Sequence, residues 1–282
     1  MSTSSQSSHE ELTRHPARPG APGRSDGAGL ADLDGLNRLG RPHRHGDPRD
    51  LGAGVLDNPA WTALTGPHRH LAEFHGGAAR YRTDVSPFVA LADPADPRCW
   101  TDVAELVGPG NPFTVAGLPE PPDSWPADQA LPGRQFVATA LDDGLDPEAV
   151  PLGPADVPEM LDLVERCRPG PFLPRTIDMG AYVGIRRGGR LVAMAGERMR
   201  PPGWTEISAV CTDEAYRGQG LAVRLIRHVA TGIHDRGDTP FLHAASTNTG
   251  AIRLYEAIGF TERSPTLFRN FRVPADALDG RR

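Results

Sequence analysis

The stretch Ile207-Ser-Ala-Val-Cys-Thr-Asp-Glu-Ala-Tyr-Arg-Gly-Gln-Gly-Leu-Ala222 limits what this chain can become more than any other. An apolar run that reads as a strand enters a short acidic turn, passes a loop bearing two glycines, and opens at once into an amphipathic helix. Gly218 and Gly220 leave backbone N–H groups bare at a helix start, where the first amides lack an intrahelical acceptor, and Arg217 adds positive charge. That combination makes a socket for a phosphate or pyrophosphate. Further on, Asn248-Thr-Gly-Ala-Ile-Arg-Leu-Tyr-Glu-Ala-Ile-Gly-Phe260 reads as a second helix, opened by asparagine and closed by glycine.

In this order and spacing the pair resembles the GNAT superfamily of acyl-CoA-dependent N-acetyltransferases. Arg217-x-x-Gly220-x-Ala222 matches the family's coenzyme A pyrophosphate motif, and Asn248 through Phe260 matches its second motif, Asn-x-x-Ala-x-x-Leu-Tyr-x-x-x-Gly-Phe. The resemblance spans roughly 150–273 and leaves out the first half of the chain. It implies a mixed α/β sandwich with a central mixed sheet.

The order of elements from Val150 fits that expectation: a short first strand, then a helix over 158–168. A hairpin over 181–197 turns at Arg187-Gly188-Gly189, and a fourth strand covers 204–212. A helix over 221–233 follows, then a fifth strand at 241–245, the Asn248 helix, and a closing pair of strands within 259–273. The domain is therefore expected over 149–275, with a C-terminal tail at 276–282. Residues 58–148 read as a smaller α/β lobe with proline-rich turns and no chemical motif of its own. The resemblance allows it to be a degenerate GNAT-like half, since tandem arrangements with one silent half occur in the superfamily, and its expected role is to pack and to shape the acceptor pocket.

Residues 1–57 are rich in Ser, Gly, Pro, Arg and Asp, too poor in bulky apolar side chains to offset ordering entropy, and are expected to form a disordered tail. His43, His45, His68, His70 and His75 have no cysteine or acidic partner at ligand spacing, so no metal is expected and these histidines read as solvated. The three cysteines, Cys99, Cys167 and Cys211, lie far apart in the chain without a Cys-x-x-Cys pair, which suits a reducing cytoplasm better than a disulfide framework. There is neither a signal-like apolar run at the start nor a stretch long enough for a membrane span, so a cytoplasmic protein is the expectation. A net charge of −6 gives no global attraction to nucleic acid or anionic lipid. All 30 basic residues are arginine, a sign of biased composition that also leaves no lysine to self-acetylate. Arg217, Arg224, Arg227 and Arg253 supply positive charge around the two motifs.

The resemblance implies acetyl-CoA as cosubstrate, with the pyrophosphate held by Arg217, Gly218, Gln219, Gly220, Leu221 and Ala222. In the family the fourth and fifth strands splay and the pantetheine arm lies between them, which assigns backbone contacts to Val210 and Thr212 and a cofactor contact to Asn248. Tyr255 is the expected general acid and cofactor neighbour. An alkylammonium, with a pKa near ~10, must lose a proton before it can attack. Glu206 is the expected base, because alternation along its strand puts it on the face of Val210; Glu197 and His243 compete for the role. Cys211 alternates with Ile207 and Ala209 and reads as buried, so direct attack in a ternary complex is expected rather than an acyl-enzyme. The acceptor is a primary amine, of a small molecule or a protein, left open at this point. A non-catalytic acyl-CoA-binding regulatory module is the alternative, and Tyr255 weighs against it. A Rossmann or P-loop protein would need glycine patterns that the chain lacks.

Overall fold

Prolines and short polar caps set where the helices start. In the computed structural model, which describes residues 50–279 apart from 53, 118 and 119, the Asn58 side chain accepts from the Trp61 N–H at 3.3 Å and opens α1 (Pro59–Thr65). Asp96 does the same for α2 (Pro97–Val107), accepting from the Arg98 N–H at 2.9 Å. The remaining helices are α3 (Val157–Cys167), α4 (Leu221–Asp235) and α5 (Thr249–Ala257). The strands are β1 (Ala72–His75), β2 (Ala78–Tyr81), β3 (Val89–Leu91), β4 (Pro112–Ala116), β5 (Ala127–Ala138), β6 (Val150–Leu152), β7 (Tyr182–Arg187), β8 (Arg190–Glu197), β9 (Trp204–Thr212), β10 (Thr239–Ala245) and β11 (Phe260–Arg272).

Strands β1, β2 and β3 form a small antiparallel sheet, and the other eight form one large sheet in the order β4-β11-β5-β10-β9-β8-β7-β6. Every pairing in the large sheet is antiparallel except β9 with β10. One face is covered by α4 and α5: Leu221, Leu225, Ile226, Val229 and Ile233 of α4 and Ile252 and Tyr255 of α5 pack on Val192, Ala195 and Leu242. The opposite face is shared between α3, whose Met160 and Leu163 pack on Leu191 and Met194, and the N-terminal elements, whose Leu64, Tyr81 and Phe88 pack on Val137 and Phe241. Each of the fully buried leucines and phenylalanines contributes about 1.5–3 kcal/mol relative to exposure.

Two expectations about organisation change here. The region 58–148 is not separate from the sheet: β4 and β5 both belong to it, and β5 lies between β10 and β11. The closing pair is accordingly β5 with β11, not two strands cut from 259–273. A proline at 265 would ordinarily interrupt a ladder. Here a bulge between Glu262 and Ser264 absorbs one residue, and β11 continues through Pro265, paired with Arg134.

The second change concerns the tail, whose residues up to 49 lie outside the described residues. Residues 50–57 are packed: Leu56 is buried at 1% exposure, and Arg263 donates to the Leu51 carbonyl at 2.6 Å and to Asp57 at 2.5 Å. At the other end Ala277 and Leu278 pack against the cluster around Trp100 and Phe271, so part of the expected C-terminal tail is attached to the fold.

Candidate active site

Strands β9 and β10 pair only at Trp204–Thr239, Thr205–Pro240 and Glu206–Phe241, and then diverge. Each is held on its outer side instead. β10 follows β5 as far as Ala245 opposite Gly133, and β9 follows β8 as far as Thr212 opposite Ala193. From Ile207 onward the inner edge of β9 therefore presents N–H and C=O groups to a gap rather than to a strand. The gap is a cleft of about 930 Å³ that crosses the sheet, lined by β9, β10, the 216–223 loop and the start of α5.

A bulge shapes the cleft wall. Met194 pairs with Cys211 and Gly196 with Ser208, so Ala195 faces two residues, Ala209 and Val210. Ala209 takes φ +52°, a conformation that costs a side-chain-bearing residue about 1–2 kcal/mol. The bulge also breaks the alternation along β9. Ile207 and Val210 both pack toward α4 and α5, whereas Ala209 and Cys211 join the cluster under α3. The expectation that Glu206 and Val210 share a face is therefore wrong: Glu206 points the other way, to Arg198 and His243.

At the mouth of the cleft the loop before α4 has the geometry the sequence implied. Gly218 takes φ +78° and Gly220 φ +72°, and a β-carbon built on either would meet open space. Gly220 caps α4 with no side-chain acceptor, so the first-turn N–H groups point into the cleft unclaimed. Arg217 is drawn back over this loop, its Nε donating to the Thr212 carbonyl at 3.3 Å. The Thr212 hydroxyl is buried with no partner among the described residues. A diphosphate fits this cradle, because bare backbone donors, an open volume and a nearby guanidinium coincide.

Of the residues named for the cofactor, Val210, Thr212, Arg217, Gly218, Gly220, Leu221, Ala222, Asn248 and Tyr255 line the cleft; Gln219 does not. Asn248 caps α5 by accepting from the Ala251 N–H at 3.1 Å. Tyr255 rests between Phe136 and Phe260, and burial pushes its hydroxyl up to about 12. The charge expected near the motifs is distributed differently. Arg224 is engaged by Asp146 and Glu148, Arg227 by Asp142, and Arg253 by Thr249. Arg168 and Arg198 line the cleft instead, and neither was singled out from the sequence because their neighbours there come from distant segments.

Glu206 is fully buried and is not part of the cleft wall. Its Oε1 accepts from Arg198 Nη2 at 2.6 Å and from His243 Nδ1 at 2.7 Å, and its Oε2 accepts from Arg198 Nε at 2.8 Å. Burial, the largest influence, would raise its pKa, but Arg198 and His243 together hold it down at about 2. His243 lines the cleft, and on its far side it reaches Gln135 Nε2 at 3.1 Å. The Gln135 amide is oriented by its other partners, since Arg263 donates to its Oε1 at 2.9 Å and its Nε2 donates to the Leu56 carbonyl at 3.0 Å. Gln135 therefore donates to Nε2 of a neutral His243, whose Nδ1 carries the proton toward Glu206. Glu197, the third candidate base, is tied to Arg236 at 2.6 Å and lies off the cleft.

One further sequence reading is revised, that of His68, and the fold adds a contact between two cysteines. Cys167 and Cys211, distant in the chain, are neighbours under α3, and hydrogen bonding to Cys167 together with burial pushes the Cys211 thiol far up. His68 is not solvated but buried, receiving the Tyr81 hydroxyl at Nδ1 and donating from Nε2 to the Met179 carbonyl, both at 3.0 Å. His43 and His45 lie outside the described residues, among which no group of three or more His, Cys, Asp or Glu could hold a metal. No helix among them is long and apolar enough to cross a membrane.

The family model described as FR47-like protein matches residues 182–269. The chain is 38% identical over 105 residues to N-alpha-acetyltransferase RimI of Mycobacterium tuberculosis, covering 36% of this chain and 65% of that one. It is 34% identical over 71 residues to the [ribosomal protein bS18]-alanine N-acetyltransferase of Escherichia coli (strain K12), covering 25% and 47% respectively. Thus it spans less than two thirds of the curated relatives it matches. Among solved structures, a GNAT-family protein of Novosphingobium aromaticivorans is 38% identical at a TM-score of 0.70, with 77% of this chain and 98% of that one covered. A GCN5-related N-acetyltransferase of Kribbella flavida shares the fold at 18% identity and a TM-score of 0.52, over 78% and 96%. With nearly the full length of the Novosphingobium protein matched at that identity, and with both sequence motifs meeting in one cleft, this chain belongs to the GNAT family.

Proposed function

We propose that this protein is an acetyl-CoA-dependent N-acetyltransferase acting on a primary amine by direct attack. One observation carries the reading. A single cleft joins the bare backbone donors before α4, the unpaired edge of β9 and the Tyr255 hydroxyl. Bound there, acetyl-CoA supplies the activated acyl group.

The chain's own groups divide the work. The 217–222 loop and the dipole of α4 bind the diphosphate, and Val210 and Thr212 offer main-chain groups to the pantetheine arm. A backbone N–H near Val210, freed by the bulge, would face the carbonyl oxygen as negative charge develops on it. Tyr255, with its hydroxyl at about 12, stays protonated at neutral pH. Full transfer of that proton to a thiolate of ordinary pKa, about 8.5, would run uphill. Tyr255 therefore gives the departing sulfur a hydrogen bond, and the proton itself comes from the acceptor amine.

For the base we replace Glu206 with His243. A carboxylate held at about 2, buried and pointing away from the cleft cannot collect a proton there. Imidazole accepts and releases protons near neutral pH. His243 is on the cleft wall, and Glu206 fixes its tautomer and stabilises the cation formed when the amine displaces Gln135 from Nε2. Cys211, buried and with its thiol pushed up, is a poor acyl carrier, which favours attack without an acyl-enzyme.

The test is thiol release from acetyl-CoA across a panel of amines, with an amine-free control and calorimetric titration of acetyl-CoA. Saturable binding with amine-dependent release supports the enzyme. Binding with no release from any amine would leave the regulatory module as the better account.

A further inference from the structure

We propose that the acceptor is a free α-amino acid whose carboxylate docks on Arg198 while its amine faces His243. This rests on the acetyltransferase reading and names its substrate. The cleft wall carries three arginines, Arg168, Arg198 and Arg217, and among the described residues that line it there is no aspartate or glutamate. Arg217 belongs to the diphosphate loop and Arg168 follows α3 near the same mouth. Arg198 is different. It stands on the side of the sheet opposite α4 and α5, beside His243, since both donate to the same Glu206 oxygen, at 2.6 and 2.7 Å.

The guanidinium is used on one edge only. Its Nε and Nη2 form the bidentate pair with Glu206, and its face lies 5.2 Å from the centre of the Phe88 ring. Nη1 makes no hydrogen bond among the described residues, although the Arg198 side chain is only 10% exposed. Two N–H donors are thus left over on a nearly buried cation that lines a cleft whose described wall carries no aspartate or glutamate. Glu206 balances the charge of Arg198, but its oxygens are taken up by Arg198, the Met199 N–H and His243, so the Nη1 donors remain without an acceptor among the described residues. When His243 takes a proton, the group of Arg198, Glu206 and His243 becomes net positive.

An α-amino acid complements this pair group for group. Its amine and its carboxylate lie on one carbon, and the imidazole and the guanidinium are neighbours, held together through Nδ1 and Nη2 by one Glu206 oxygen. Charge-assisted hydrogen bonds of this kind are about twice as strong as neutral ones. A polyamine or aminoglycoside would meet arginines where it needs carboxylates. A peptide N-terminus would present a neutral carbonyl where the free acid presents a carboxylate. Asp57, the acid of the neighbouring cavity of about 210 Å³, is already paired with Arg263.

The experiment compares wild-type kcat/KM for L-amino acids, their carboxamides, short peptides with the same first residue, and spermidine, alongside acetyl-CoA titration. The free acids should exceed their amides by at least about tenfold. Arg198→Lys should bring that ratio close to one while leaving the acetyl-CoA KM within about twofold; should this variant fail to fold, the wild-type ratio decides alone. Intact acetyl-CoA binding with release from none of the acids, or with amides, peptides or spermidine turned over as well as the acids, overturns this proposal and spares the enzyme reading. Absence of acetyl-CoA binding overturns both.

Discussion

Oε1 of Glu206 accepts the Nδ1 proton of His243 at 2.7 Å while the same carboxylate is clasped by Arg198 through two nitrogens. A buried anion thus fixes the orientation of the imidazole, and its charge is balanced before any substrate arrives. His243→Ala should lower kcat by about 10²–10⁴-fold with acetyl-CoA affinity unchanged. Steady-state kinetics beside calorimetry check this, and an unchanged kcat would remove His243 from the reaction. Glu206→Gln should lower kcat too, and should also destabilise the fold by about 3 kcal/mol or more, because Arg198 loses its buried counter-charge.

Tyr255→Phe separates binding from chemistry. The ring keeps its contacts with Phe136 and Phe260, so acetyl-CoA binding and thermal stability should change little. Loss of the hydroxyl should cut kcat by about 10²-fold, read from initial rates at saturating substrates. Equal rates for both proteins would mean that the phenol does no chemistry.

Gly220→Val tests the diphosphate cradle. The position needs φ +72° and opens onto empty space, so a branched side chain adds backbone strain and fills the volume in front of the amides. Acetyl-CoA affinity should fall by more than about 100-fold, with a folding cost of about 1–2 kcal/mol. A titration giving wild-type affinity would refute the assignment of this loop.

His68 predicts a pH dependence of stability. Burial, its largest influence, lowers its pKa from 6.5 to about 4, with Arg200 and His70 adding to the effect and the bond to Met179 opposing it. The unfolded chain therefore binds more protons between those values, and stability rises with pH across the window. Its contribution is complete above about 6.5 and declines as the pH falls toward 4, by about 3 kcal/mol at one pKa unit per 1.36 kcal/mol. Denaturant melts at pH 7 and pH 4.5 should show the loss in the native protein and a smaller one in His68→Gln. Parallel behaviour of the two would show that other groups carry the acid sensitivity.

What the sequence determined alone is the local machinery. Gly218 and Gly220 adopt left-handed backbone because other residues resist it, Asn248 caps the helix that follows it, and Tyr255 falls on the inward face of that helix by its spacing. These outcomes depend on neighbours a few residues away, so they can be read before folding is considered. The choice of base was not of this kind. Glu206 and Val210 were separated by a bulge that arises from the pairing of β9 with β8, and His243 found Glu206 and Gln135 across long stretches of chain. The insertion of β5 between β10 and β11 likewise came from pairing between distant segments, and so did the meeting of Arg198 and His243 at Glu206. Register and long-range contact decide which face a strand residue occupies and which charges meet, and neither is encoded in any short window of residues.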